Sequence, residues 1–587
     1  MSRAPALLPP PRQDRLGRAR FASPSPAGVA TVIEAGHRPE GYRLRVDGSG
    51  VRLAASDQAG LARGRATLAQ LDDGAEVAEA DITDWPDLPV RGLMLDISRD
   101  KVPTMDTLHW LVDRMAAWKL NHLQLYTEHT YAYPGHDDVW RDASPMTAEE
   151  VAELGAYCAA RHVELSANQN CLGHMERWLA HDRYRPLAVT PNGWPDHRGH
   201  LRHPTTMEPA HPGSLALARE LLAELVPRFA SDRVHVGLDE PWELPPERAP
   251  DYAAYVRRLR AAPELDGREM LMWGDIVALH PELAPLLPEG VTVCEWGYEA
   301  DHPFDDRSRA LAAAGRPFWV CPGTSSWDSL IGRWTNAREN CSSAARAGVA
   351  HGASGYLVTD WGDNGHLQPL SVSLPGLAAG AAAAWNAAEG SGADFPAALA
   401  DALVDRTAGG DTGRDAAAAL LELGDAHRVT ETQSPNMVSV LIHFWYPQLR
   451  VGRGFTADLD HTQLDAYEEV LDRARPRIAE RVGDRPRPAG PVGPELDVAV
   501  EVARLAVADA GARLDGDGSL RSIPAGRRTQ LAERAETLAE GHRELWTVRN
   551  RPGGRDDSAD RLRHLAACHR QGQATEFVPA WHGPVGP

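Results

Sequence analysis

Cysteine is scarce in this chain: six residues in 587, at Cys158, Cys171, Cys294, Cys321, Cys341 and Cys568, none in a CxxC spacing. That scarcity excludes a disulfide framework or a thiolate zinc site and leaves reduced thiols. No apolar run is long enough to span a bilayer as a helix. Residues Met1 to Arg12 lack the apolar stretch of a secretory leader, so the expectation is a cytoplasmic protein with no membrane partner. Basic residues are in deficit, 61 Lys and Arg against 82 Asp and Glu for a net charge of −21, which argues against nucleic acid. No glycine-rich phosphate loop follows the first strand-like segment, which removes the main sign of an open, doubly wound nucleotide-binding sheet. His and carboxylates are present but not at HExxH-like spacing, so neither a metal nor another cofactor is expected.

What is present divides the chain into four parts. Residues 1–28, rich in Pro, Arg, Ser and Ala, read as a flexible arm. Residues 29–86 read as a small α+β domain: a hairpin around Gly48 to Gly50, then an amphipathic stretch from Leu61 to Leu71. From 87 to 390, short apolar segments alternate with helical ones. Eight candidate strands can be counted, Arg91 to Ser98, His122 to Glu128, His162 to Asn170, Arg233 to Glu240, Met270 to Ile276, Val291 to Tyr298, Phe318 to Thr324 and Gly355 to Asp363. That predicts a (β/α)8 TIM barrel. Residues 391–587 have the Ala, Leu, Arg and Glu content and periodicity of a helical domain. A homodimer through that domain is an expectation that rests on its Trp and Phe content.

A (β/α)8 barrel carries its chemistry at the carboxyl ends of its strands, and polar and aromatic residues recur there. The fourth strand ends Val-His-Val-Gly-Leu-Asp-Glu-Pro, with Asp239 and Glu240 adjacent. Neighbours on a regular strand face opposite ways, so both can serve one ligand only if the strand distorts or one acts behind the other. The same pair could instead cap a helix. Other strand ends bring Asp96, Glu128, His174, Trp273, Glu295, Trp296, Tyr298, Trp361 and Asp363. Indole rings beside carboxylates suit a sugar, whose apolar face stacks while its hydroxyls take fixed acceptors.

The barrel motifs resemble those of glycoside hydrolase family 20, the β-N-acetylhexosaminidases, and especially the intracellular branch that includes hexosaminidase D. The matching stretches are Val90-Arg-Gly-Leu-Met-Leu-Asp-Ile-Ser-Arg, Gln124-Leu-Tyr-Thr-Glu-His, Asn168-Gln-Asn-Cys-Leu-Gly-His-Met-Glu, Val234-His-Val-Gly-Leu-Asp-Glu, Trp273-Gly-Asp and Trp361-Gly-Asp. The resemblance implies exo-acting, retaining hydrolysis of terminal N-acetylhexosamine, GlcNAc or GalNAc, in which the substrate's acetamido oxygen attacks the anomeric carbon and an oxazolinium ion forms. It implies that Glu240 is the general acid and base and that Asp239 holds the acetamido N–H. By the same resemblance Arg91 and Asp363 bind sugar hydroxyls, Glu128 and His174 orient the acid, and Trp273, Trp296 and Trp361 wall the acetamido pocket. The partner is then an N-acetylhexosamine-containing glycan.

This sequence departs from the family pattern in having Glu128 where Asp is usual and Gly-Leu-Asp-Glu where Gly-Gly-Asp-Glu is usual. It also lacks a recognisable seventh-strand Tyr for the acetamido oxygen, and Tyr298 is taken as its substitute. Two other readings stand beside this one: a glycosidase of plain β-glycosides using Glu240 with a second carboxylate such as Glu295, and a carbohydrate-binding barrel without turnover.

Overall fold

The computed structural model describes residues 6–195, 201–403, 410–430, 434–482 and 492–579. Tyr42–Asp47 and Gly50–Ala55 form the expected antiparallel hairpin, burying Tyr42, Leu44, Val46 and Leu53 while Arg43 and Arg45 face out. The period is two, as one buried face requires. Helix Gln58–Leu71 lies on that face, and the Asp57 side chain caps it by accepting the Gly60 N–H at 2.7 Å.

The arm differs from the expectation. Gln13–Ala22 is a strand paired with Glu76–Asp84, so the small domain's five-stranded sheet begins fifteen residues or so earlier than its sequence pattern suggests. Most of that strand is exposed. An edge strand with no buried face has no apolar alternation to read. Residues 1–5 of the arm lie outside the described residues.

All eight barrel strands are present and close parallel into a ring: Val90–Asp96, His122–Tyr126, Glu164–Asn168, Arg233–His235, Glu269–Trp273, Val291–Trp296, Phe318–Cys321 and Gly355–Asp360. Within the ring, side chains alternate between the lumen and the helical shell. Val90 and Met94 on the first strand and Cys294 and Trp296 on the sixth join one interior cluster with Tyr126, Trp273 and Trp361. The odd-numbered neighbours on those two strands therefore face outward.

The helix after the eighth strand, Leu370–Trp385, is buried at every residue from Ser371 to Trp385. Its small, apolar composition fits a helix covered on all sides, here by the barrel and by the helical domain. That domain contains helices Phe395–Leu403, Gly410–Gly424, His461–Val482, Val492–Leu514, Ala525–Arg549 and Arg555–Gln571. The Arg549-Asn-Arg-Pro-Gly-Gly stretch does more than stop a helix. Arg549 carbonyl accepts the Thr104 N–H at 2.8 Å, and the Arg551 N–H donates to Val102 carbonyl at 2.8 Å. It thereby docks the domain against the loop after the first barrel strand.

Candidate active site

The fourth strand supplies the distortion that an adjacent carboxylate pair needs. Its ladder continues past His235, with Val236 N–H donating to Leu271 carbonyl at 2.9 Å and Trp273 N–H to Gly237 carbonyl at 3.0 Å. The backbone then takes positive φ at Gly237 (69°), Leu238 (77°) and Glu240 (47°). Left-handed conformations at non-glycine residues cost on the order of 1–3 kcal/mol each and persist only where the surroundings impose them. The result is that Asp239 and Glu240 leave opposite faces and converge. His174 Nε2 lies 3.2 Å from Asp239 Oδ2 and 3.6 Å from Glu240 Oε2.

Two glycines make this approach sterically open. A Cβ on Gly237 would fall 1.7 Å from Asn170 Oδ1, and one on Gly173 would fall 2.2 Å from Asp239 carbonyl oxygen. The Leu-Gly-His sequence thus lets the third βα loop pass directly under the carboxylates. Asp275, after the fifth strand, accepts the Glu240 N–H at 3.0 Å and holds the turn from the other side.

The electrostatics follow from crowding of acids in a confined space. Burial is the largest influence on Glu240; the His174 cation opposes it, Asp239 and Asp363 add to it, and the carboxyl is lifted to about 7. Burial works against a charged His174, but Asp239, Glu128 and Glu240 outweigh it and raise the imidazole to about 10. Near neutrality the site therefore holds an imidazolium beside a half-protonated carboxyl, which is the condition for a general acid. Repulsion between the two carboxylates contributes, yet desolvation contributes more.

Around this pair the structure gathers most of the sequence-predicted residues. Glu128 lies 3.6 Å from His174 Nδ1 and accepts from Tyr126 Oη at 2.9 Å. Trp273, Trp296, Tyr298 and Trp361 line one pocket with Asp239, Glu240, His174 and Asp363. The Tyr298 ring stacks on Trp296 with centroids 5.1 Å apart, and Trp361 stands edge-on to Tyr126 at 4.7 Å. Asp239 Oδ1 and the indole nitrogens of Trp273, Trp296 and Trp361 are buried without a hydrogen-bond partner among the described residues. Unpaired buried polar atoms are costly. Four of them belong to residues that line one pocket, which marks it as a place for polar contacts.

Arg91 is not among them. It sits at the amino end of the first strand, fully buried, with its guanidinium bonded to Glu40 at 2.7 Å and to the carbonyls of Leu88, Pro89 and Lys119. Its place is the joint between the small domain and the barrel floor, about five strand residues or roughly 16 Å from the carboxyl end. The arginine at the site is Arg99, from the same motif. Its guanidinium reaches Asp96 at 3.3 Å, Glu128 at 3.2 Å and Asp363 at 3.3 Å, and lies over the rings of Tyr126 and Trp361. The signal was available, since Arg99 follows Asp96 by three residues just beyond the strand end. Asn436, which lines the pocket from the helical domain, had no sequence signal.

Glu295, the second carboxylate of the competing reading, points outward from the sixth strand and bonds His302 Nε2 at 3.1 Å. It does not line the pocket.

A carboxyl raised to about 7 beside a second acidic side chain under a box of indoles, at the carboxyl end of a (β/α)8 barrel, has the make-up of a carbohydrate site. Two family descriptions match the sequence: "Glycosyl hydrolase family 20, catalytic domain" over residues 88–327 and "Glycosyl hydrolase family 20, domain 2" over residues 12–85. The chain belongs to glycosyl hydrolase family 20.

Among curated relatives, a β-hexosaminidase of Akkermansia muciniphila is 32% identical over 232 residues, which is 35% of this chain and 46% of that protein. β-Hexosaminidase subunit A1 of Dictyostelium discoideum is 23% identical over 34% of this chain and 39% of its own length. The chain thus spans less than half the length of these relatives. Solved structures agree on the fold. An exo β-N-acetylglucosaminidase from Vibrio harveyi superposes with a TM-score of 0.54 at 17% identity, over 66% of this chain and 75% of that one. The β-N-acetylhexosaminidase of Streptomyces coelicolor gives 0.51 at 20% identity, over 65% and 91%. The helical domain lies beyond both family matches.

Proposed function

We propose that the chain is an exo-acting, retaining β-N-acetylhexosaminidase that works by substrate-assisted catalysis. The observation that carries this is the convergence of Asp239 and Glu240 on His174 in a pocket walled by Trp273, Trp296 and Trp361. In this reading the pocket takes a terminal sugar. In it, Arg99 and Asp363 bind hydroxyls, and the indoles hold the acetamido group against the anomeric carbon. The acetamido oxygen attacks that carbon while Glu240 gives its proton to the departing glycosidic oxygen. Asp239 accepts the acetamido N–H and stabilises the positive charge of the oxazolinium ion. Water then adds to the anomeric carbon, breaking its bond to the acetamido oxygen, as the Glu240 carboxylate takes a proton from that water, giving overall retention. His174, held by Glu128, keeps the two carboxyls apart in charge and position. Tyr298 takes the acetamido oxygen's edge of the pocket.

The outward position of Glu295, which does not line the pocket, speaks against the scheme that pairs it with Glu240 as a second enzymic carboxylate. The buried strain and the raised carboxyl speak against a barrel that only binds, since both cost stability without turnover to gain. Cytoplasmic location and membership of the intracellular branch belong to the same reading, and fractionation of the native host is their check. So does a homodimer through the helical domain, where Phe455 stays half-exposed; a monomer by light scattering would remove it. Release of nitrophenol from the 2-acetamido β-glucoside and β-galactoside, beside the plain β-glycosides, tests the function. Activity confined to acetamido sugars and lost by orders of magnitude in Glu240→Gln supports it, and equal cleavage of plain glycosides refutes it.

A further inference from the structure

The catalytic pocket opens into a second, larger cleft of about 1940 Å³ that shares Arg99 and His174 with it. Beyond Arg99, Glu128 and His174 the proposed mechanism assigns no role to its lining, and its far wall lies outside both family matches. Its near wall is Trp242, two residues beyond Glu240 and 61% exposed, the most exposed tryptophan among the large apolar side chains left facing solvent. Its far wall belongs to the helical domain: Tyr446, Asp557, Arg561 and the Phe577 segment. The walls are tied together. Tyr446 Oη reaches Asn364 Oδ1 at 3.5 Å, Ser558 Oγ donates to Gly365 carbonyl at 2.5 Å, and Arg177 of the third βα loop faces Asp557 at 3.8 Å.

Arg561 stands out within this wall. Its guanidinium carbon lies 4.6 Å from the Phe577 ring centroid, its Nε is buried without a hydrogen-bond partner, and no ion pair is formed to it among the described residues. The same group crowds Gly365, where a Cβ would lie 2.2 Å from Arg561 Nε. An arginine packed on a ring, with Asp328, Asp557 and Asp363 near it but none within ion-pair distance, keeps its donors available to a ligand. The cleft as a whole is not a site for a strong anion, because its four arginines are offset by five acidic side chains. Interleaved donors, acceptors and ring faces match a polyhydroxyl ligand.

We propose that this cleft binds the aglycone and that the helical domain makes the enzyme selective for a saccharide leaving group of two or more sugar units. Trp242 stacks on the unit whose oxygen Glu240 protonates, and Arg561 hydrogen-bonds hydroxyls of the next. The inference rests on the hydrolase reading above, since it assigns a direction to the leaving group.

The test uses the full chain and two substrates with the same terminal 2-acetamido β-glucosyl unit: its nitrophenyl glycoside and its linear tetrasaccharide. The readout is the ratio of kcat/KM, tetrasaccharide over nitrophenyl, in wild type, Arg561→Gln and Trp242→Ala. A charge-assisted hydrogen bond lost from the far unit should lower that ratio about tenfold or more in Arg561→Gln. A ratio equal to wild type in Arg561→Gln overturns the proposal, whatever happens to the absolute rates. Trp242→Ala, a change at an exposed ring, should weaken tetrasaccharide binding to the inactive Glu240→Gln protein by about tenfold in fluorescence or calorimetric titration, and unchanged binding likewise overturns it. Failure of the wild type to cleave either substrate instead refutes the hydrolase reading, so the two failures are distinguishable.

Discussion

Replacing His174 by glutamine should move the alkaline limb of the pH profile upward. His174 is held protonated, at about 10, and its Nε2 lies 3.6 Å from Glu240 Oε2. Unit charges at that distance interact by about 1 kcal/mol at the dielectric of water and by 4–5 kcal/mol at an effective value near 20. Since about 1.4 kcal/mol corresponds to one unit, removing the cation should raise Glu240 from about 7 by one to three units. The general acid must be protonated, so activity falls as pH rises through its pKa, and a higher pKa carries that fall to higher pH. The assay is kcat/KM for the nitrophenyl 2-acetamido β-glucoside between about pH 5 and 9.5, because this parameter reports groups of the free enzyme. The absolute rate will drop as well, since His174 also positions the pair, but the position of the limb is the readout. Asp275 is raised to about 7 as well, by burial and Asp239, yet it bonds the Glu240 amide rather than His174. A limb that stays where it was would therefore assign the titration to another group and refute the reasoning.

Glu240→Gln should stabilise the fold in alkali. The folded-state value of about 7 lies above the ordinary glutamate value of 4.5, so the folded wild type binds more protons in that window and loses stability as pH rises through it. The neutral amide has no such loss, and its melting temperature should exceed wild type by a few degrees above pH 7 and converge with it near pH 4.5, corresponding to about 3 kcal/mol. Arg91→Met and Arg99→Met should separate structure from function. The first strips a buried ion pair to Glu40 and should cost about 3–5 kcal/mol of stability by denaturant titration, with kcat/KM of the folded fraction largely kept; the second should raise KM and lower kcat/KM by about a hundredfold. Gly237→Ala, with φ of 69° and a Cβ 1.7 Å from Asn170 Oδ1, should abolish activity or folding, and a variant with wild-type kcat would show that the turn is not required.

The barrel was legible because its strands are buried on both faces, and buried parallel strands read as short continuous apolar runs. Val291-Thr-Val-Cys-Glu-Trp is one such run, and it is a strand over Val291–Trp296. The fourth strand shows the limit of that reading. Val234, Val236 and Leu238 alternate as a strand would, but the strand proper is only Arg233–His235, and the turn that brings the carboxylates together is set by Gly237, Gly173 and Asp275 acting across loops. Contacts of that range leave no periodicity.

Arg91 and Arg99 belong to one motif, and a motif does not say which end of a strand a residue occupies. The structure does: Val90, Met94 and Asp96 share the parity that fills the lumen, Arg91 has the opposite parity and lies at the strand's start, and Arg99 follows its end. The first strand of the small domain and the contribution of Asn436 and Arg561 to the active face were beyond reach for a simpler reason. The former has no buried face, and the latter meet the barrel only through tertiary packing.

The central claim, that the substrate's own acetamido oxygen is the nucleophile, is tested most directly by fluorinating the acetyl group one atom at a time. Each fluorine weakens that oxygen as a nucleophile while leaving the sugar ring and the leaving group as they were. The account predicts that kcat/KM of the nitrophenyl glycosides falls steeply, by orders of magnitude from acetyl to trifluoroacetyl. A series that stays flat would contradict it and return the attack to a carboxylate of the protein.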